Sequence, residues 1–287
     1  MSDKHLQTMQ NYIDRMPSLS TTVAKVLEVC DQPDVAANDL NKIISLDPVL
    51  AGNVLKLINS AYYSLPNQIS SLTRAIIILG INTVKNLALS TAVLGYMKKS
   101  TNDSLTMDSF WTHSICVGVT AKAIAIEKKI PLNQREEFFL AGLLHDLGKI
   151  PMAHCFAEEY TACLTLCNEQ KISLQDAEMK VFGFDHQYCG HIIASKWKLG
   201  ENIIAAMGYH HQPEKSDEVH RLIISSVAIA DVYANIFEIG SAGNQYVDEE
   251  HIIQILAQSK LSWKLLAELH GTIQQAIEKA SIFLQVS

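Results

Sequence analysis

The apolar residues of this chain recur three and four positions apart in nearly every segment, which is the spacing of one face of an α-helix. The stretch LSTTVAKVLEVC shows the pattern simply, with apolar side chains at Val23, Val26, Leu27 and Cys30. Because the same pattern continues nearly to the C-terminus, the sequence predicts an all-α fold.

Two breaks divide the N-terminal helices. The residue before a proline avoids helical torsion angles, so one helix should end near Asp47, and Pro48 suits the first turn of the next. A second break is predicted at Gly80-Ile81-Asn82. The β-branched residues 76–78 are also compatible with a strand, but no alternating partner follows them, so a buried helix is favoured.

The clearest polar interruption is MKKSTNDSLTMDS, in which Ser, Thr, Asn and Asp cluster between apolar segments. It predicts a boundary near residue 103. We therefore expect an N-terminal helical bundle, residues 1–103, packed on a C-terminal helical domain, residues 104–287, which ends in a pair of helices.

The composition limits what the chain can bind. With 48% hydrophobic and 18% charged residues, its 287 residues can bury a substantial core. The net charge of −7 argues against a nucleic-acid polymer as partner, because such a partner requires a basic face. A small anionic ligand held by a metal ion remains compatible with this charge.

Membrane and secretory features are missing from the sequence. The start, MSDKHLQTMQNY, is polar, and no run of about 18 apolar residues occurs. The nearest candidate, LIISSVAIADVYANIF, contains serines, an Asp and an Asn, and it predicts a buried helix. The six cysteines do not resemble a disulfide framework and are expected to be core thiols, so we expect a cytoplasmic protein.

The motif FFLAGLLHDLGKIP, residues 138–151, places an imidazole and a carboxylate at the end of a long apolar run. A buried charge is costly unless it is paired or holds a metal, so His145 and Asp146 need partners. Asp231, which interrupts the apolar run SSVAIADVYANI, raises the same difficulty.

The candidate partners are scattered through other helical segments: His113, His186, His210 and His211. Each has a simple structural alternative. A lone histidine beside aromatic residues, such as His113, is commonly a satisfied core residue, and adjacent histidines before Gln-Pro commonly cap a helix.

Considered together, these residues predict a metal site. Neutral imidazoles and carboxylates are the usual ligands of first-row transition metals, and one ion stabilises several polar groups at once. Asp146 has two oxygens and could bridge two ions at the ~3.5–4 Å separation of two-metal hydrolytic sites. A histidine-rich set favours Fe, Mn, Zn, Ni or Co over Mg.

These residues, in this order, resemble the HD superfamily of metal-dependent phosphohydrolases, for which GLLHDLGK is a specific match. The N-terminal half contains the segments MPSLSTTVAKVLEV and ISLDPVLAGNVLKLINSAYYSLPNQ, which resemble the HDOD domain. That resemblance runs from about Met16 to beyond His211, which is most of the chain. The resemblance implies an all-helical bacterial protein with a signalling role. Many such proteins lack a complete metal site.

This chain keeps every metal position, and in that respect it is similar to the HD-GYP phosphodiesterases. The similarity implies one metal held by His113, His145, Asp146 and Asp231. It implies a second metal held by Asp146, His186 and His210, with His211 as a further ligand. By analogy the metals would be Fe or Mn, with Zn or Ni as alternatives.

Two further expectations come from the same resemblance. Lys149 matches the lysine of the HD-x-x-K pattern and would act with Asp146 in catalysis by facing a phosphate. No Gly-Tyr-Pro triplet follows His211, which argues against cleavage of cyclic di-GMP. His154 and His191 match no motif position and are expected to be structural.

Two functional hypotheses follow. The first is a signal-transduction protein with a dinuclear site that hydrolyses a phosphoester or nucleotide. The second is a non-catalytic regulatory or ligand-sensing module in which the metal is structural. A small phosphorylated ligand and a separate signalling protein are the expected partners.

Overall fold

The computed structural model describes residues 2–97, 105–244, 246, 249–259 and 261–285, and these residues form helices, turns and loops with no strand. The N-terminal helices are α1 (Ser2–Arg15), α2 (Thr21–Cys30), α3 (Ala37–Ile44), α4 (Pro48–Ile58), α5 (Leu72–Leu79) and α6 (Ile81–Met97). After them come α7 (Met107–Glu127), α8 (Leu132–Leu144), α9 (Lys149–Cys155), α10 (Ala157–Gln170), α11 (Leu174–Phe182), α12 (His186–Lys196), α13 (Glu201–Tyr209), α14 (Arg221–Ile236), α15 (Glu249–Ser259) and α16 (Trp263–Ala280). The predicted all-α fold is confirmed.

The break at Asp47-Pro48 lies where the sequence predicts it. Helix α4 begins at Pro48, and the Asp47 carboxylate accepts hydrogen bonds from the backbone N–H groups of Val49 and Leu50, at 3.1 and 3.0 Å. These N–H groups have no partner within the helix, so the aspartate completes the helix end.

The break at Gly80 is also confirmed, but the burial predicted for residues 76–78 is only partly right. Gly80 has a φ of +88°, which glycine adopts without strain. The chain bends there by 119° between α5 and α6. Ile76 is buried, whereas Ile77 and Ile78 are 72% and 46% exposed. Consecutive helical residues point in different directions, so a helix that packs one face cannot bury all three.

Helices α7, α8 and α14 form the centre of the protein. Most of α7 is buried, and α8, α14 and α16 pack around it. Helices α7 and α8 cross where Gly118 faces Gly142, and a Cβ on Gly142 would lie 2.6 Å from the Cα of Gly118. The two glycines therefore permit a close approach of α7 and α8. This approach brings His113, within α7, and His145, directly after α8, to the same region.

Helix α1 packs on α9, α11 and α12, which belong to the C-terminal half. The Lys196 ammonium, at the end of α12, donates to the backbone carbonyls of Ile13, Asp14 and Met16 at 2.5 to 2.8 Å. One cluster of buried apolar residues runs through both halves of the chain. The predicted boundary at residues 103 and 104 lies outside the described residues, and the two-domain division stays a prediction.

Within the described ranges, Glu218–Ile236 is long and apolar enough to cross a membrane, as is the bent pair Leu72–Leu79 and Ile81–Gly95. In Glu218–Ile236, 67% of the apolar stretch is buried inside the protein, as in a core helix. This agrees with the buried helix predicted for residues 222–237. The six cysteines are free thiols, and Cys163 and Cys167 are buried.

Candidate metal centre

Two groups of potential ligands meet at Asp146. The ligand atoms of His113, His145, Asp146 and Asp231 all lie within 4.8 Å of one another, and so do those of Asp146, His186, His210 and His211. All of these residues are buried except His211, which is partly buried. The structure thus places every residue predicted to bind metal in one cluster, in the two sets that the resemblance to the HD-GYP phosphodiesterases implied.

The ligands are brought together by helix ends and by helix interiors. His113 lies within α7 and Asp231 within α14, both in buried stretches. His145 directly follows α8, His186 is the first residue of α12, and His210 directly follows α13. A helix end leaves backbone polar groups without partners, so clustered helix ends suit a polar site inside an apolar fold.

The first group has the spacing of a metal coordination shell. The His113 Nε2 atom lies 3.0 Å from Oδ1 of Asp231, and the His145 Nε2 atom lies 3.2 Å from Oδ2 of Asp146. Two atoms that each bind one ion at about 2.1 Å lie roughly 3.0–3.4 Å apart. These distances fit a shared ion, although nearby pairs in the group extend to 3.9 Å.

The second group uses the other oxygen of Asp146. Its Oδ1 atom lies 3.4 Å from the Nε2 atom of His186 and 3.7 Å from that of His210. The Nε2 atom of His186 is 3.3 Å from that of His210 and 3.1 Å from that of His211. Asp146 therefore presents one oxygen to each group, which is the arrangement of a bridging carboxylate.

The hydrogen bonds of three imidazoles direct their Nε2 atoms into the cluster. The Nδ1 atoms of His145 and His210 lie 2.7 and 3.0 Å from the backbone carbonyls of Gly142 and Ala206. A carbonyl can only accept, so Nδ1 carries a proton in both rings, and Nε2 is the nitrogen through which each ring would bind a metal. Nδ1 of His186 donates in the same way to a carboxylate oxygen of Glu178, at 2.6 Å.

Facing lone pairs and unpaired polar atoms provide the test of whether the residues fit a metal. Nδ1 is protonated in both rings, so when both imidazoles are neutral the Nε2 atoms of His186 and His210 face each other at 3.3 Å as two acceptors. The Nε2 atoms of His113 and His145 and Oδ1 of Asp146 are buried and make no hydrogen bond of good geometry, and the carboxylate oxygens 3.0 and 3.2 Å from the two imidazoles do not change this. Buried polar atoms rarely remain unpaired, and a bound cation would satisfy all of them.

Three supporting residues were not predicted from the sequence. The Glu178 carboxylate is fully buried and accepts hydrogen bonds from the backbone N–H of His186 and from the Tyr160 hydroxyl, as well as from the His186 ring. The Asn235 amide donates to Oδ1 of Asp231 at 2.9 Å. Such partners orient ligands and commonly tune metal affinity.

Lys149 belongs to the cluster but points at a carboxylate. Its Nζ atom lies 2.6 Å from Oδ2 of Asp146, and only 2% of the residue is exposed. The pocket beside the cluster is not lined by Lys149. His154 and His191 belong to neither ligand group.

The metal-free site holds its histidines in different protonation states. Burial opposes the charge on His145, but the neighbouring Asp146 and Asp231 carboxylates outweigh it and raise the pKa of His145 to about 9. Burial lowers the pKa of His210 to about 4 and that of His211 well below its usual range. At neutral pH the first group therefore binds one proton where a metal would bind.

Metal binding should consequently release about one proton per chain below pH 9, and that proton should come from His145. The affinity of the first group should rise by up to about tenfold per pH unit between pH 7 and 9, because the metal competes with a proton that becomes easier to remove. Calorimetric titration of Mn²⁺ in two buffers of different ionisation enthalpy measures the protons released. A heat that does not depend on the buffer would contradict the protonation of His145.

A pocket of about 430 Å³ opens beside the cluster. Its lining includes His210 and His211 from the second group and Asp231 from the first group. A ligand in this pocket can therefore reach both groups, and the site is not sealed within the core.

Comparisons with known proteins agree with the fold and the motif. The profile of the HDOD domain matches residues 16–213. The crystal structure of an HDOD domain protein of unknown function from Geobacter sulfurreducens is 26% identical, with a TM-score of 0.79 over 98% of each chain. That of a candidate phosphohydrolase from Shewanella amazonensis SB2B is 20% identical, with a TM-score of 0.71 over 95% of this chain and 98% of the other, and shows the fold alone.

One curated relative also matches. An uncharacterized protein of Treponema pallidum (strain Nichols) is 26% identical over 222 residues, which are 77% of this chain. The chain spans 42% of the length of that relative. Asp231 lies beyond the residues matched by the domain profile, so the ligand that completes the first group falls outside the matched region.

Proposed function

The chain belongs to the HDOD domain family, and we propose that it is a metal-dependent phosphohydrolase with a dinuclear site that acts on a phosphoester. The observation that carries the proposal is the position of Asp146, whose two oxygens face two separate sets of buried ligands. A structural site needs one closed set of ligands, whereas a pair of sets beside an open pocket suits hydrolysis.

Bound ions would supply two effects, polarisation of the phosphoryl oxygens and a lower pKa for water. The protein's own groups prepare the site for them. His113, His145 and Asp231 would hold one ion, while His186, His210 and His211 would hold the other, with Asp146 shared. The carbonyls of Gly142 and Ala206 and the carboxylate of Glu178 keep the imidazoles oriented.

Lys149 supports the site through Asp146. Its ammonium neutralises a buried carboxylate that would otherwise be costly. Burial raises the pKa of Asp146, but the charges of His145 and then Lys149 outweigh burial and hold that pKa well below its usual range. Asp146 is therefore ionised whenever a metal is available. We propose this role for Lys149 in place of direct contact with a phosphate.

The second candidate function is a regulatory module with a structural metal. It is supported by the length of the family match, which includes the N-terminal helices α2 to α6, none of which contributes a ligand. A separate signalling protein would then be the partner. We favour Mn or Fe as the metal in both cases because of the histidine-rich ligand set and the resemblance to HD-GYP sites.

Metal analysis and a simple assay distinguish the two functions. The purified chain, supplied with Mn²⁺ or Fe²⁺ and desalted, should retain about two equivalents of metal by elemental mass spectrometry. It should then hydrolyse p-nitrophenyl phosphate or bis(p-nitrophenyl) phosphate. Retained metal without hydrolysis of either ester would favour the regulatory module, and absence of bound metal would rule out both functions as stated.

A further inference from the structure

The walls of the pocket beside the metal centre carry few positive charges. Among its described lining residues, Lys171 is the one lysine or arginine, and Asp176 and Glu214 contribute carboxylates. Lys149 is buried behind Asp146 and already paired. A phosphate that enters the pocket can therefore be neutralised at the metal centre, but further phosphates would lie beside acidic walls.

Carboxamide side chains make up much of the remaining wall. They are Gln175, Gln212, Asn235, Asn244 and Gln254. Gln175 already donates to Asp185 and Gln187, Asn235 donates to Asp231, and Asn244 accepts from the backbone N–H of Leu174. Gln212 and Gln254 each carry donors and an acceptor on one carboxamide, and paired groups of this kind recognise the edges of nucleobases. The same wall includes the ring of Tyr246, which is 37% exposed. An exposed aromatic ring is a common stacking partner for a base.

We propose that this pocket selects a nucleotide with one base and one phosphate group. The inference rests on the proposed function, because the phosphate must lie at the metal centre while the base contacts Gln212, Gln254 and Tyr246. The volume of about 430 Å³ lies near the lower end for ligand pockets and suits one nucleoside. Polyphosphates are disfavoured by Asp176 and Glu214.

Binding of the nucleoside part is tested without hydrolysis. Adenosine and guanosine should give saturation-transfer NMR signals on their base protons with the full chain. Substitution of Tyr246 by alanine should weaken binding by about tenfold through loss of stacking. Tyr246→Phe keeps the ring and should retain the signal, and so serves as the matched control.

Selectivity for one phosphate is tested with the metal-loaded protein. The kcat/KM for AMP and GMP should exceed that for p-nitrophenyl phosphate and that for ATP, in each case by about tenfold or more. Glu214→Lys should improve ATP relative to AMP by at least about fivefold, since it replaces a repelling charge with an attracting one. Glu218→Lys changes an exposed charge that does not line the pocket and should leave the ratio unchanged.

The outcomes separate this inference from the phosphohydrolase proposal. Hydrolysis of the nitrophenyl esters without nucleoside binding, or equal use of ATP and AMP, overturns the nucleotide inference and leaves phosphohydrolysis intact. Nucleoside binding that depends on the Tyr246 ring, without hydrolysis of any ester, supports the base site and removes the phosphohydrolase function.

Discussion

Replacing Asp146 with asparagine is expected to remove both metal ions and to lower phosphoester hydrolysis by at least about a thousandfold. The reason is geometric: Oδ1 faces His186 and His210, and Oδ2 faces His145, so neither ligand group is complete without this carboxylate. Asparagine has nearly the same shape but no charge. Elemental analysis of the desalted protein measures the loss directly.

Asp231→Asn is the matched control for this experiment. Asp231 belongs to the first group alone, so the same change from carboxylate to amide should remove one ion and leave the second group of ligands intact. If Asp146→Asn retained one equivalent of metal, as Asp231→Asn should, Asp146 would not be a bridging ligand and the dinuclear proposal would fail.

Folding has to be checked in the same experiment, because Asp146→Asn leaves the buried Lys149 ammonium without its carboxylate. An uncompensated buried charge costs about 3–5 kcal/mol. The double variant with Lys149→Met removes that charge and should recover much of the lost stability in thermal melts. It should not recover metal binding, which distinguishes loss of the ligand from loss of the fold.

Part of the candidate site was predictable from the residues themselves, because two of its acidic groups interrupt apolar segments, whereas the division of the ligands into two sets came from the resemblance to the HD-GYP phosphodiesterases. A carboxylate such as Asp231, surrounded by Val, Ala and Ile, requires a partner, and His145-Asp146 at the end of an apolar run requires one too. Helix breaks at Asp47-Pro48 and Gly80 were predictable for a similar reason, since proline and glycine act on the local backbone.

Features that depend on long-range packing were not predictable in this way. Glu178 lies in SLQDAEMKVFG beside Asp176 and Lys180, and such a polar segment indicates a solvent-exposed helix face. Its burial becomes clear only when α11 is placed against the start of α12 and the Glu178 carboxylate accepts from His186. The packing of α1 on the C-terminal half likewise involves Lys196, whose ammonium donates to carbonyls of Ile13 and Met16 that lie 183 and 180 residues earlier in the chain.

Gly148→Ala is expected to have the second largest effect, because this glycine of the motif HDLGK provides space between α9 and α12. Its backbone is right-handed helical, with φ of −62°, so alanine is allowed there by its torsion angles. A Cβ at this position, however, would overlap the carbonyl oxygen of His186 and lie 2.7 Å from the amide nitrogen of Gly190. Both obstacles are backbone atoms, which cannot move aside as a flexible side chain can.

The start of α12 must therefore shift, and His186 shifts with it, away from Oδ1 of Asp146. We expect a loss of stability of about 3 kcal/mol, a melting temperature lower by about 10 °C, and loss of the ion held by the second group. Gly271→Ala in α16 is the control, since a Cβ there meets nothing within 4 Å and alanine favours a helix by about 1 kcal/mol. If the Gly148→Ala protein has the melting temperature of the wild type and retains both ions, α12 can move without displacing His186. The contact between the HD turn and α12 would then play no part in positioning the second ligand group.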